Sequence, residues 1–232
     1  MALLAPIMVV TGTGPGVGKT VTTAALAAGF DQHDLRVVVV KLAQTGRREG
    51  EPGDLEEVVR LAGDVETHEL FRLEDPLPLV TGARRRGVVL PLVDEHADRL
   101  ISFAGREDVD LVLVESTGGV LDRLDGPGGT LADLGITLRH RHARVGVVVV
   151  TRPGLGALNA CALTTEALAA RDLECLGVVL GSWPKDPDLV ALTNLSDLPS
   201  VTDAPLIGRI PEEAGSWERE RFRAESPAWV TL

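Results

Sequence analysis

Short apolar runs rich in valine alternate along the chain with longer stretches rich in alanine and leucine. The short runs predict β-strands, and the longer stretches predict helices. The predicted strands are 7–11, 36–41, 110–115, 145–151, 175–180 and 206–209. The predicted helices are 19–29, 54–62, 93–104, 157–171 and a C-terminal helix near 217–224.

The alternation of strands and helices indicates βα units and therefore a mostly parallel sheet. Four of the six predicted strands are almost entirely apolar, as expected for strands that helices cover on both faces. The predicted fold is therefore α/β with three layers. No internal repeat, low-complexity tract or linker interrupts the pattern. We accordingly expect one domain that spans residues 1–232.

The composition and charge of the chain argue against nucleic-acid binding and against a membrane span. Apolar residues make up 44% of the chain and aromatics only 3%, so the core must consist of valine, leucine and alanine. The net charge of −11 argues against general nucleic-acid binding, because the phosphate backbone is repelled. The basic segments 84–86 and 139–142 lack aromatic residues that would stack on bases. No run approaches the roughly 18 apolar residues of a membrane span.

The remaining composition favours a cytoplasmic protein. Segment 1–6 has no basic flank and continues directly into a predicted strand, so we expect no signal peptide. Cys161 and Cys175 lie in apolar segments, as buried thiols of a reducing compartment do. The five histidines do not show the spacing of zinc ligands.

Segment 12–20 has the composition of a phosphate-binding loop between a strand and a helix. Its glycines allow backbone N–H groups to turn toward phosphate, Lys19 reaches the β/γ oxygens, and the Thr20 hydroxyl can ligate Mg²⁺. Gly12 stands one position earlier than the standard spacing requires. The alternative is a merely flexible turn. The residues predicted to cradle the phosphates are Thr13, Gly14, Gly16, Val17, Gly18, Lys19 and Thr20.

Further charged residues follow other predicted strands. The chain has three lysines and twenty arginines, and Lys41 ends the second strand as Lys19 ends the phosphate loop. If these two strands are neighbours, Lys41 approaches the γ-phosphate. Glu115 ends the third strand, where a carboxylate that binds Mg²⁺ is expected. Asp54 opens a helix. The alternatives are a surface lysine, a solvated strand end and a helix N-cap, respectively.

Taken together, these motifs resemble the dethiobiotin synthetases of biotin biosynthesis. The resemblance covers nearly the whole chain in order, and the gap between Gly12 and Lys19 is typical of that family. The matching segments are 11–13, 16–20, 41, 44–46, 54, 114–115, 118–119, 154–159, 177–183 and 210–211.

The resemblance implies a P-loop NTPase-like fold and an ATP-dependent ring closure. In this reaction 7,8-diaminononanoate takes up CO₂, which bicarbonate supplies in solution, to form a carbamate. The γ-phosphoryl group of the nucleoside triphosphate is then transferred to the carbamate, giving a carbamic-phosphoric anhydride. The second amine closes the cyclic urea and displaces phosphate. Cations must offset the repulsion between carbamate and triphosphate.

The resemblance also assigns roles to residues. It implies catalytic roles for Lys19, Lys41 and Thr45, and Mg²⁺ ligation by Thr20, Asp54 and Glu115. The diamine would contact Lys41, Thr45 and Gly118, and its carboxylate tail would reach loop 155–159 of a second copy in a homodimer. The residues implied there are Leu155 and Asn159. The residues implied around the nucleotide base are Gly181, Ser182 and Pro211.

The chain departs from the family at two places. Leu42 replaces a common proline, and Ser116-Thr117 replaces Gly-Ala after the strand acid. A positive φ at Ser116 would strain the loop by roughly 1 kcal/mol or more. Two alternative functions remain at this stage: a regulatory P-loop ATPase switch of the partition type, and a nucleotide-binding homologue with weakened catalysis. The sequence leaves open the base preference and the roles of Arg47 and Arg48.

Overall fold

The computed structural model describes residues 6–231; residues 1–5, which carry most of the expectation about a signal peptide, lie outside this part. This described part contains nine strands. They are β1 (Ile7–Gly12), β2 (Val37–Lys41), β3 (Gln44–Thr45), β4 (Glu66–Glu69), β5 (Arg72–Leu73), β6 (Leu111–Glu115), β7 (Val145–Thr151), β8 (Glu174–Trp183) and β9 (Leu206–Pro211). All six predicted strands are confirmed, and the short strands β3, β4 and β5 were not predicted.

Seven strands form one parallel sheet in the order β4-β2-β6-β1-β7-β8-β9. The strands β3 and β5 form a separate parallel pair. The approach of Lys41 to the phosphate loop was made conditional on β1 and β2 being neighbours. This condition is not met, because β6 lies between these two strands. Lys41 and Val10 are instead both in register with Glu115, one on each side of β6.

Helices cover both faces of the sheet and confirm the three-layer α/β fold. On one face lie α1 (Lys19–Gln32), α2 (Asp54–Ala62) and α8 (Arg219–Glu225). On the other face lie α3 (Leu79–Arg86), α4 (Val93–Ala104), α5 (Leu131–His140), α6 (Ala157–Ala169) and α7 (Leu189–Thr202). The helices α3, α5 and α7 were not predicted from the sequence.

The two cores follow from the alternation of side chains along each strand. In β1, Ile7 and Val9 pack into the core beneath α4 and α5, whereas Met8 and Val10 pack into the core beneath α1 and α2. Both cores are built almost entirely from valine, leucine and alanine, as the composition predicts. None of the helices in residues 6–231 is long and apolar enough to cross a membrane.

Parallel pairing places the carboxyl ends of all seven strands at the same edge of the sheet, where α/β proteins bind ligands. Four loops that the sequence singles out meet at this edge. They follow β1, β2, β6 and β7; the first is the glycine-rich segment, the second and third begin directly after Lys41 and Glu115, and the fourth contains the segment 152–156. The strand order therefore brings the predicted chemistry to one region of the surface.

Candidate active site

Close backbone contacts shape the glycine-rich loop between β1 and α1. Gly16 and Gly18 adopt positive φ angles of 63° and 100°, which side chains rarely tolerate. A Cβ atom on Gly18 would lie only 2.3 Å from the carbonyl oxygen of Gly181. Conversely, a Cβ atom on Gly181 would lie 2.0 Å from the carbonyl oxygen of Val17. Glycine is therefore required on both sides where the loop packs against the end of β8.

Polar contacts from β7 hold the other side of this loop. The backbone N–H of Thr13 donates to the carbonyl of Val150 at 2.9 Å, and the hydroxyls of Thr13 and Thr151 are 3.0 Å apart. Arg152 donates from Nη2 to the carbonyl of Gly16 at 3.0 Å. The loop is thus fixed at its entry and near its tip, as a preformed phosphate site requires.

Lys19 begins α1 and folds back across the loop. Its Nζ donates to the carbonyl of Gly14 at 3.0 Å. Burial lowers the pKa of Lys19, and the nearby Lys41 ammonium lowers it further, although Glu115 opposes both effects. Thr20, the residue after Lys19, and Lys41 both contact Glu115 Oε1, so Lys19 and Lys41 lie at the same edge of the sheet and not at opposite ends of the molecule.

Lys41 lies between two carboxylates. Its Nζ is 2.7 Å from Glu115 Oε1 and 2.6 Å from Asp54 Oδ2, and the Lys41 side chain is only 3% exposed. It also donates to the carbonyl of Ser116 at 3.3 Å. Burial alone would lower the pKa of Lys41, but Glu115 and Asp54 outweigh burial and the pKa is raised. Lys41 therefore remains a cation in the interior.

Glu115 and Thr20 supply oxygen atoms next to this ammonium. The Thr20 hydroxyl donates to Glu115 Oε1 at 2.9 Å. Glu115 is fully buried, and its Oε2 atom has no hydrogen-bond partner within the described residues. An ionised carboxylate oxygen without a partner is unfavourable in the interior unless a cation binds it.

These atoms fit a hard divalent cation that completes its coordination with other oxygens. Mg²⁺ is commonly bound by one or two carboxylates together with substrate phosphates and waters. The hydroxyl of Thr20 and the carboxylates of Glu115 and Asp54 match that set. Within residues 6–231, no cluster of three or more His, Cys, Asp or Glu side chains forms a closed metal site. A metal here would share its coordination with a phosphate ligand.

Gln44 positions Asp54 and was not assigned a role from the sequence. Its Oε1 atom accepts a hydrogen bond from the backbone N–H of Asp54 at 2.8 Å, so it holds the first turn of α2. A Cβ atom on Gly53 would approach that oxygen to 2.7 Å. Gln44 follows Lys41 by three residues, which was the only sequence signal that it belongs to the site. The hydrogen bond between Gln44 and α2 depends on the tertiary fold and could not be read from the sequence.

The Ser116-Thr117 pair is accommodated without the strain considered from the sequence. Ser116 does not adopt a positive φ angle, so the strain that such an angle would cause does not arise. Its hydroxyl is buried and donates to the carbonyl of Gly118 at 2.7 Å. Thr117 donates to the carbonyl of Ala43 at 3.0 Å and links the loops that follow β2 and β6. Both hydroxyls therefore stabilise the loop.

Comparisons with known proteins match nearly the whole length of the chain. The family model described as an AAA domain matches residues 7–218. A protein of Streptomyces coelicolor named ATP-dependent dethiobiotin synthetase BioD is 47% identical, over 97% of this chain and 92% of its own. Proteins of the same name from Saccharopolyspora erythraea and Frankia casuarinae are each 51% identical, over 90% and 95% of this chain and 89% and 90% of their own. The chain belongs to the dethiobiotin synthetase family.

Solved structures agree on the fold of the family member. The MinD cell division protein of Aquifex aeolicus matches with a TM-score of 0.56 and 15% identity, over 97% of this chain and 95% of that one. Chloroplast FtsY of Physcomitrella patens matches with a TM-score of 0.54 and 17% identity, over 97% and 66%. At these identities the likeness shows the fold alone.

The other residues implied by the dethiobiotin synthetase resemblance lie on both sides of the phosphate loop. Thr45 lines a pocket with Lys41 and Asp54. Gly118 lies in the loop after β6, where a Cβ atom would be 1.9 Å from an Asp122 oxygen. Leu155 and Asn159 lie after β7, and both are exposed. The three residues implied around the base lie at the carboxyl ends of β8 and β9, where Trp183 and Pro211 are in register; they are Gly181, Ser182 and Pro211.

Proposed function

We propose that this chain is an ATP-dependent dethiobiotin synthetase, which closes the cyclic urea from 7,8-diaminononanoate and CO₂. The observation that carries the proposal is the convergence of Lys19, Lys41 and Glu115 at the carboxyl edge of the sheet, where Lys41 and Thr20, the neighbour of Lys19, both contact Glu115 Oε1. Two ammonium groups beside a phosphate loop suit a reaction in which two anionic reactants must meet. Family membership supplies the identity of those reactants.

The residues of the chain account for the demands of this reaction. An amine of the substrate takes up CO₂ and becomes a carbamate, whose oxygen attacks the γ-phosphorus while ADP leaves. The second amine then attacks the carbamate carbon, and inorganic phosphate leaves as the ring closes. Lys19 and the loop N–H groups hold the triphosphate. Lys41, with Thr45 beside it, holds the carbamate against the γ-phosphate, so that positioning and charge lower the barrier.

We include Mg²⁺ in the proposal, held by Thr20, Asp54 and Glu115. When bound, it would neutralise charge on the β- and γ-phosphate oxygens. The unpartnered Glu115 Oε2 atom supports this assignment. The two carboxylates of this set, Glu115 and Asp54, also keep Lys41 charged, because they raise its pKa.

The proposal further includes a homodimer, in which loop 155–159 of one copy binds the carboxylate tail of the diamine in the other. Two exposed leucines support an interface on this side: Leu155 is 91% exposed, and Leu163 in α6 is 59% exposed. We also propose a cytoplasmic protein with a single domain over residues 1–232. Gly181, Ser182 and Pro211 are proposed to surround the nucleotide base.

The test is a coupled assay of ATP hydrolysis and dethiobiotin formation, with the diamine or bicarbonate present or omitted. We expect ATP consumption to require both compounds and to match dethiobiotin mole for mole. Hydrolysis that ignores the diamine and responds to DNA or lipid would contradict the proposal and favour a switch. Nucleotide binding without any turnover would favour a homologue that has lost catalysis.

Ser116 provides a second test, because the weakened-catalysis alternative arises from this residue. We expect Ser116→Ala to lower the free energy of unfolding by about 1 kcal/mol, since it removes the buried hydroxyl that contacts the carbonyl of Gly118 and the hydroxyl of Thr11. Turnover should stay within about threefold of wild type, because the hydroxyl of Ser116 supports the backbone at Gly118 and is itself assigned no contact with a reactant. Denaturant unfolding and the coupled assay measure the two effects. A hundredfold loss of turnover at unchanged stability would assign Ser116 a direct chemical role.

A further inference from the structure

Next to Lys41 lies a pocket of about 320 Å³ that opens at the carboxyl edge of the sheet. Its polar lining comes from Lys41, Gln44, Thr45, Arg47, Asp54 and Thr117. The proposed function places Lys41 between the carbamate and the γ-phosphate. A group bound in this pocket therefore lies beside the residue that contacts the reacting groups.

The loop after β3 places two consecutive arginines at this pocket in different situations. Arg48 points away, and its Nε donates to Glu74 Oε1 at 2.8 Å. Arg47 lines the pocket, and within residues 6–231 its side chain makes no ion pair and no hydrogen bond. Arg47 is therefore an uncommitted cation, whereas Arg48 already pairs with a carboxylate.

Backbone contacts at Gly46 hold the loop that precedes Arg47. Gly46 has a φ angle of 74°, and its N–H donates to the carbonyl of Asp75 at 3.1 Å. A Cβ atom on Gly46 would be 3.2 Å from the side chain of Pro76, which forms part of the pocket wall. The turn therefore presents residue 47 at the pocket.

The protein groups around Lys41 carry a net negative charge. Lys41 has one positive charge, but it contacts the two carboxylates of Asp54 and Glu115, so the three groups sum to −1. In the proposed function Mg²⁺ and Lys19 offset this charge beside the triphosphate, and Arg47 is a further cation that lines the pocket itself. A guanidinium presents parallel N–H donors that match the oxygens of a carboxylate or a phosphoryl group.

We propose that Arg47 is a further substrate-binding residue, whose guanidinium binds the oxyanion that occupies this pocket. The oxyanion is either the planar carbamate formed from the diamine or the γ-phosphoryl group that is transferred to it. The inference rests on the proposed function, because that function brings both groups to this place. Arg48 has no such role.

The kinetic test compares Arg47→Ala and Arg47→Lys with Arg48→Ala as the matched control. We expect Arg47→Ala to lower kcat/KM for the diamine at least about tenfold, and Arg47→Lys to recover only part of it, since an ammonium lacks the planar donor pair. Arg48→Ala should stay within twofold of wild type. An unchanged Arg47→Ala enzyme, or an equal loss in Arg48→Ala, would overturn the proposal.

Binding measurements on the full chain distinguish the two oxyanions. Calorimetry with diamine and bicarbonate but no nucleotide reports on the carbamate, whereas a non-hydrolysable ATP analogue with Mg²⁺ reports on the γ-phosphoryl group. Weakened binding by Arg47→Ala in either experiment supports the proposal and names the ligand; unchanged binding in both overturns it. If the wild-type protein formed no dethiobiotin, the proposed function would fail, while the analogue experiment would still decide whether Arg47 binds a phosphoryl oxyanion.

Discussion

Replacement of Lys41 by arginine is expected to lower the rate of dethiobiotin formation by roughly 10³-fold, although the positive charge is retained. The Lys41 ammonium lies 2.6–2.7 Å from two carboxylates and is almost completely buried. A guanidinium is larger and planar, so it cannot occupy this site without displacing Asp54 or Glu115. The coupled assay under saturating ATP and diamine measures the loss, and nucleotide binding should change far less.

The matched control is Lys185→Arg, because Lys185 is the third lysine of the chain and is exposed in the loop after β8. Its replacement should leave turnover unchanged. If Lys41→Arg retained more than about a tenth of the wild-type rate, the role assigned to Lys41 between the carbamate and the γ-phosphate would be wrong. If Lys185→Arg lost as much activity, the effect would not be specific to the buried position.

The sequence predicted the central strands well, because they contain short apolar runs rich in β-branched residues, such as the valines at 37–40 and 147–150. Residues of this type favour strands, and a continuous apolar run is typical of a strand that is buried on both faces. It did not predict the order of the strands. Lys41 reaches the site because β6 lies beside β2 and places Glu115 in register with it. Register of this kind depends on long-range packing, which local sequence patterns do not encode.

Three helices were missed, and their capping residues were available as signals. The Thr130 hydroxyl accepts from the backbone N–H of Asp133 at the start of α5, and Asp188 accepts from Ala191 at the start of α7. Both are favoured N-cap residue types. The helical pattern of α7 was obscured by Pro199, because proline usually ends a helix. The pattern of α3 was obscured by its final three arginines, which indicate a solvated surface.

The sequence predicted several residues of the site but not the side chains with which they pair. Lys19, Thr20 and Glu115 followed from a local motif or from a strand end. The contrast between Arg47 and Arg48 did not, because Glu74 is 26 residues away in the chain from the arginine it pairs with. The role of Gln44 toward Asp54 likewise needs the turn that returns the chain to the end of β2.

Replacement of Glu115 by glutamine is expected to reduce turnover by roughly 10²–10³-fold, because it removes a charge that faces both Lys41 and the proposed metal. It should also change the pH dependence. In wild type the pKa of Lys41 is raised above 10.5, so its contribution to stability is present below that pH and is lost only as pH rises through the folded-state pKa. Without Glu115 the lowering effect of burial gains weight, and the pKa of Lys41 falls below its value in the unfolded chain. The charged Lys41 then costs stability near neutral pH, and this cost is relieved as pH rises through the folded-state pKa.

Thermal unfolding midpoints between pH 7 and 10.5 measure this shift, with Glu107→Gln as the control. Glu107 is exposed and precedes β6, at the edge of the sheet opposite the site. Its replacement should leave both the turnover and the pH profile of the midpoint as in wild type. The Glu115→Gln protein should instead be destabilised most near pH 7, and its deficit relative to the control should narrow toward pH 10.5 as the buried Lys41 ammonium loses its proton. If the two variants followed the same profile, the charge of Glu115 would not be what keeps Lys41 protonated, and the electrostatic account of this site would fail.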